Sequence, residues 1–129
     1  MLFSFKHYII TFIVFIVLDA IWLFSTKGFY AKELQHLMAT DIKWVSALLF
    51  YLLFVVALLY FVIMPALSSH DIKTMILSAI LFGLITYGTY DLTNYATINN
   101  WPLSLTIIDL IWGSSVSVLT SLIAYFILK

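Results

Sequence analysis

Residues 44–64 read WVSALLFYLLFVVALLYFVIM, and between Ala47 and Met64 only Tyr51 and Tyr60 carry a polar oxygen or nitrogen on the side chain. A helix of about 20 apolar residues crosses the roughly 30 Å hydrocarbon layer of a bilayer, and this run is long enough to do so. Three further stretches qualify on the same ground: 7–26 before it, and 73–98 and 102–128 after it. Across the 129 residues 64% are hydrophobic and 9% charged, with a mean hydropathy of +1.13. A soluble domain is about one quarter charged. So short a chain has too little interior to hide this much apolar surface, and disorder is excluded by the same composition. The expectation is an all-α polytopic membrane protein, a four-transmembrane-helix antiparallel bundle forming one domain over residues 1–129.

Several function classes fall away. There is no cysteine, which removes disulfides, thiolate catalysis and cysteine-based zinc sites. Six lysines and no arginine balance six acids, leaving no basic patch for nucleic acid or for anionic lipid. No phosphate-binding, dinucleotide, H-E-x-x-H or G-x-S-x-G motif occurs, so no cofactor is expected. His7, His36 and His70 do not cluster in sequence, and no metal site is expected of them. Lys6 and His7 precede an apolar run as in a signal peptide, but Asp19 interrupts the run and no small-residue cleavage site follows; the first helix is expected to remain uncleaved.

The connections are informative. In the longest, Lys27 to Lys43, Tyr30, Leu34, Leu37 and Met38 share one helical face while Lys32, Glu33 and His36 lie off it. That pattern suits a short amphipathic helix in the interface, the alternative being an irregular solvated loop. Pro65 marks the expected end of the second helix. Asn99-Asn100-Trp101 is so short that the third and fourth helices must form an antiparallel hairpin, with Pro102 at a helix start. Trp44 and Trp101 read as members of an interfacial aromatic belt. Four crossings put both termini on one side. Lys6, Lys73 and Lys129 flank one face and Lys27, Lys32 and Lys43 the other, so lysine balance leaves the orientation open.

Three carboxyls stand inside spanning segments: Asp19, Asp91 and Asp109. An Asp at a helix centre costs about 2.5–3.5 kcal/mol on insertion scales. Counted from Thr26, Ile98 and Pro102 at about 1.5 Å per residue, all three fall about 10 Å beneath the face that carries the first and third loops. Helical neighbours accompany each. On the third helix Leu84, Tyr87, Gly88, Asp91, Asn94 and Tyr95 form a stripe, and Thr86, Thr89, Tyr90, Thr93 and Thr97 make that half polar almost all round. On the fourth, Thr106, Asp109, Gly113, Ser117 and Thr120 form a stripe of small and polar groups, in which Gly113-x-x-x-Ser117 permits close backbone approach. On the first, Phe12, Phe15, Asp19, Trp22 and Thr26 share a face. Asp19-x-x-Trp22 and Asp109-x-x-Trp112 repeat one spacing. An inverted repeat would put the two acids at mirrored depths, so the spacing is read as an indole N–H placed near a carboxylate. No Lys or Arg lies deep in a helix. The acids therefore hold a proton, hold a cation, or contact a ligand's cationic or hydroxyl groups. The rival reading is that they are buried hydrogen-bonding staples.

The run Tyr90-Asp91-Leu92-Thr93-Asn94-Tyr95-Ala96-Thr97, followed by Trp101-Pro102 and Asp109-x-x-Trp112-Gly113, resembles the small bacterial membrane proteins of Domain of Unknown Function family 2177. Asp19-x-x-Trp22-Leu23, Phe50-Tyr51 and Phe61-Val62-x-x-Pro65-Ala66-Leu67 fit the same pattern, so the resemblance covers nearly the whole chain. It implies a four-helix protein of the bacterial inner membrane and implies no reaction.

The expected site comprises Asp19, Asp91 and Asp109 with Asn94, Tyr87, Tyr90, Trp22 and Trp112, in a pocket opening toward the first and third loops. The leading function is binding or transport of a proton-coupled or cationic small solute. A homodimer is the expected assembly, with Gly113 and Ser117 as one possible contact. An enzyme acting on lipid and a structural subunit of a membrane complex are the alternatives.

Overall fold

A computed structural model describes residues 4–129. They form four long helices, each long and apolar enough to cross a membrane: α1 (Phe5–Leu34), α2 (Trp44–Ser69), α3 (Ile72–Thr97) and α4 (Leu103–Leu128). No strand occurs among the described residues. The helices pack as an antiparallel bundle, with α3 against α4 as its most extensive pair and α1 against α4 next.

Local chemistry sets the helix ends. Ser4 caps α1, its hydroxyl accepting from the His7 amide while the His7 ring accepts from the Ser4 amide. Asp71 caps α3 and accepts from both the amide and the hydroxyl of Thr74 at 3.0 and 2.6 Å, which hold its carboxyl below the ordinary range. Asn100 turns the α3–α4 hairpin with φ 62, a left-handed conformation that Asn tolerates better than most residues.

Two helices run past their expected ends. α1 does not stop at residue 26 but continues to Leu34, so the segment read as a separate interfacial helix is its extension. Lys27 and Gly28 resemble loop residues, yet Ala31, Lys32, Glu33 and Leu34 are strong helix formers that carry the helix on. α2 does not end at Pro65. Its turn widens to a π-helix over Leu59–Ile63, and Pro65 then sits in the first turn of the closing segment Met64–Ser69, where a missing N–H is tolerated. The helix ends instead at His70, φ 59.

The two ends of the bundle differ. Toward the α2–α3 connection, Phe15, Phe54, Val55, Leu58, Ile63, Met75, Ala79, Val116 and Tyr125 close into an apolar core. In the middle, α3 and α4 approach backbone to backbone. A Cβ on Gly83 would come to 2.3 Å from the Gly113 carbonyl oxygen, and one on Gly113 to 2.5 Å from the Tyr87 ring. Gly113 and Ser117 are therefore buried inside the chain, with Ser117 donating to the Gly113 carbonyl at 2.7 Å, and neither is available as a dimer contact. Toward the third loop α3 and α4 stay packed, with Leu105 and Thr106 buried, while volume is left unfilled beside the first loop.

Substitution of the glycines separates packing from propensity. Gly83→Ala is expected to destabilise the protein by about 1–3 kcal/mol, because rigid backbone opposes the new methyl. Gly28→Ala, which meets nothing within 4 Å, is expected to stabilise it by about 0.5–1 kcal/mol. Unfolding in mixed micelles measures both; equal effects would contradict the close approach.

Candidate functional site

The unfilled volume is a cavity of about 690 Å³. α1 contributes Asp19, Trp22, Leu23 and Tyr30. The start of α2 contributes Ser46, Ala47, Phe50 and Tyr51, with Lys43 just before it. α3 contributes Thr86, Tyr87 and Tyr90, and α4 contributes Asp109 and Trp112. Lys43, Ser46, Leu23, Phe50 and Tyr90 are exposed, which puts the opening around the start of α2, beside the first loop, with α1 and α3 at its sides.

Two of the three carboxyls face this cavity. Asp19 accepts from the Tyr51 hydroxyl at 2.7 Å and from the Trp112 indole at 3.2 Å, which ties α1 to α2 and α4. Asp109 accepts from the Tyr30 hydroxyl, and that hydroxyl in turn accepts from the Trp22 indole at 3.3 Å. The rings of Trp22 and Trp112 stack at 4.5 Å with an interplanar angle of 2°. The repeated Asp-x-x-Trp spacing does not place each indole on the carboxylate of its own helix, as expected: Trp112 donates to Asp19, Trp22 donates to Tyr30, and the two indoles share one stack because the antiparallel helices bring them to one level.

The third carboxyl is set apart. Asp91 is wholly buried and does not line the cavity. Its carboxyl neighbours that of Asp109, close enough for the two to share a proton, and among the described residues neither of its oxygens accepts from any other donor. Its backbone carbonyl is covered by Thr106, which also accepts from the Trp101 indole at 2.9 Å. The equal-depth expectation depended on α1 ending at residue 26. With α1 extended to Leu34 the acids stand in two tiers: Asp91 with Asp109, and Asp19 with Trp112, which is three residues farther into α4. Among the described residues no three His, Asp or Glu side chains gather as a metal site would require.

Of the other expected site residues, Tyr87, Tyr90, Trp22 and Trp112 line the cavity and Asn94 does not. Most of the threonines on α3 proved to be no sign of a site. Thr89, Thr93 and Thr97 are exposed and donate to carbonyls one turn back on their own helix, which satisfies a hydroxyl without any neighbour. Trp101, expected in the interfacial belt, is 8% exposed and packs edge-on against Tyr90, whereas Trp44 is 71% exposed. Tyr30, Tyr51, Lys43, Ser46 and Thr86 are lining residues that the sequence reading missed. Two signals were present. Tyr30 continues the Asp19, Trp22, Thr26 face by one more turn, and Tyr51 is a lone hydroxyl in an apolar span that must find an acceptor.

The family described as Predicted membrane protein (DUF2177) matches residues 4–126. The chain belongs to this family. No curated protein and no solved structure matches it. Membership thus agrees with four membrane-crossing helices, and the reading of the cavity rests on its own residues.

Tyr51→Phe removes one of the two donors to Asp19. It is expected to destabilise the protein by about 0.5–2 kcal/mol, and by much less when Asp19 is already Leu. A double-mutant cycle on unfolding in micelles measures the coupling; additive effects would mean that the bond contributes nothing.

Proposed function

We propose that this protein binds a cationic or proton-coupled small solute in the cavity walled by Asp19 and Asp109. The observation that carries this reading is the cavity: about 690 Å³ of free space beside two carboxyls whose hydrogen-bond donors are all uncharged. Ligand sites of small molecules typically fall in a range of about 300–1,000 Å³. Tyrosine hydroxyls and indoles orient a carboxylate without neutralising it, so a cation entering the cavity gains charge-assisted contacts that no resident side chain already supplies deep in the bundle. Lys43, on an exposed position at the opening, is a long side chain able to keep its ammonium in the interface.

Passage of the solute across the membrane would extend this reading to transport. Four helices are few to enclose a path, and a homodimer supplies the additional wall. We place the protein in the bacterial inner membrane with both termini on one side, which an even number of spans supports.

A second reading is favoured by the hydrogen bonds themselves. Asp19 links three helices, as a structural staple would. The two readings part on ligand response. In detergent, a series of cations across pH is expected to shift the melting temperature of the wild type, and Asp109→Asn is expected to remove that shift while the helical content stays the same. Identical profiles in the wild type, Asp19→Asn and Asp109→Asn would favour the staple.

A further inference from the structure

On the basis of that cation-binding reading, we infer that the solute is an organic ammonium with apolar substituents, held between aromatic rings and the two cavity carboxyls. Three observations lead there. The first is the wall. Trp22, Trp112, Tyr51, Tyr87, Tyr90 and Phe50 all line the cavity, and ring faces attract cations most strongly where water is excluded. The second is the donor set. Calcium takes six to eight oxygen ligands and magnesium demands near-octahedral geometry. Asp19 already accepts two hydrogen bonds and Asp109 one from tyrosine and indole donors, and among the described residues no three acid or histidine side chains gather to build a metal shell. An alkylammonium needs no such shell, because its charge is spread over methyl and methylene groups that favour rings. The third is behind the wall. Asp91 does not line the cavity, but its carboxyl, with no exposed surface, backs onto that of Asp109 and places a further buried acid behind the wall.

The mouth supports the apolar part of this ligand. Leu23 and Phe50 are exposed on the lining, at 48% and 44%, beside the exposed Lys43, Ser46 and Tyr90, so apolar side chains share the mouth with polar ones. A strongly hydrated ion gains nothing from Leu23 and Phe50. An ammonium carrying hydrocarbon groups loses less on entry and regains contact with rings once inside.

The test compares ligands on one purified protein in detergent. The probes are choline, benzyltrimethylammonium, the carbon isostere of choline in which the quaternary nitrogen is replaced by carbon, and sodium and magnesium chloride at matched ionic strength. Melting temperature and tryptophan fluorescence are the readouts, the latter because Trp22 and Trp112 form part of the wall. Both ammonium probes are expected to raise the melting temperature and change the fluorescence saturably, whereas the isostere and the inorganic salts do neither. Asp109→Asn and Trp22→Leu are each expected to weaken ammonium binding about tenfold, and Asp71→Asn, at the opposite end of the bundle, to leave it unchanged. The wild-type comparison of choline with its isostere does not depend on any variant folding. A shift with sodium or magnesium that requires Asp109, and none with the ammonium probes, would overturn the ligand class while sparing the cation-binding reading. Equal binding of the isostere, or no response to any probe, would overturn both.

Discussion

An ionisable carboxyl in hydrocarbon is tolerated only where protein or water takes the place of lipid around it. This constraint organises one end of the bundle. Asp19, Asp91 and Asp109 are all buried, at 7%, 0% and 8% exposure. Each escapes the lipid by a different means. Asp19 is held by a tyrosine and an indole from two other helices, Asp109 by a tyrosine from α1, and Asp91 by enclosure beside Asp109. Those donors must come from helices that reach the acids, so α1 has to extend through Tyr30, and the start of α2 has to lie where Tyr51 meets Asp19.

The rest of the packing makes that arrangement possible. α3 and α4 are locked by a contact in which each glycine leaves room for the other helix, with the Tyr87 ring against Gly113. This rigid pair carries Asp91 and Asp109. The apolar core at the far end joins α1 and α2 to it through Phe15, Phe54 and Leu58. Held there, the four helices leave volume unfilled toward the first loop, and that volume is the cavity. Close packing at one end and open volume at the other are thus two consequences of where the small and the bulky side chains lie along the helices.

How far the sequence discloses this follows from what each signal measures. Helix number and class depend on long apolar runs, which bilayer thickness makes easy to read. The carboxyls stand out because they are expensive, and the indoles and Tyr87 because they lie at helical spacing from them. The extent of α1 was hidden because Lys27 and Gly28 look like the start of a loop; without that extension Tyr30 belongs to the surface and Asp19 sits too near it. Tyr51 was hidden in an apolar span whose other residues face lipid or core. The α3 threonines misled in the opposite direction, since hydrogen bonds to their own helix make them cheap on an exposed surface. Pairing between helices, such as Tyr30 with Asp109 across 79 positions, has no periodic signature in a single sequence.

The proposed site requires cavity carboxyls that are open to water rather than to acyl chains. Labelling with a water-soluble carbodiimide in lipid nanodiscs, read by peptide mass spectrometry, addresses this directly. Asp19 and Asp109 are predicted to be modified, more slowly than Asp41 in the exposed first loop, while Asp91 stays unmodified. Complete labelling of Asp41 with Asp19 and Asp109 untouched would contradict it, as would their modification only by a lipid-soluble carbodiimide.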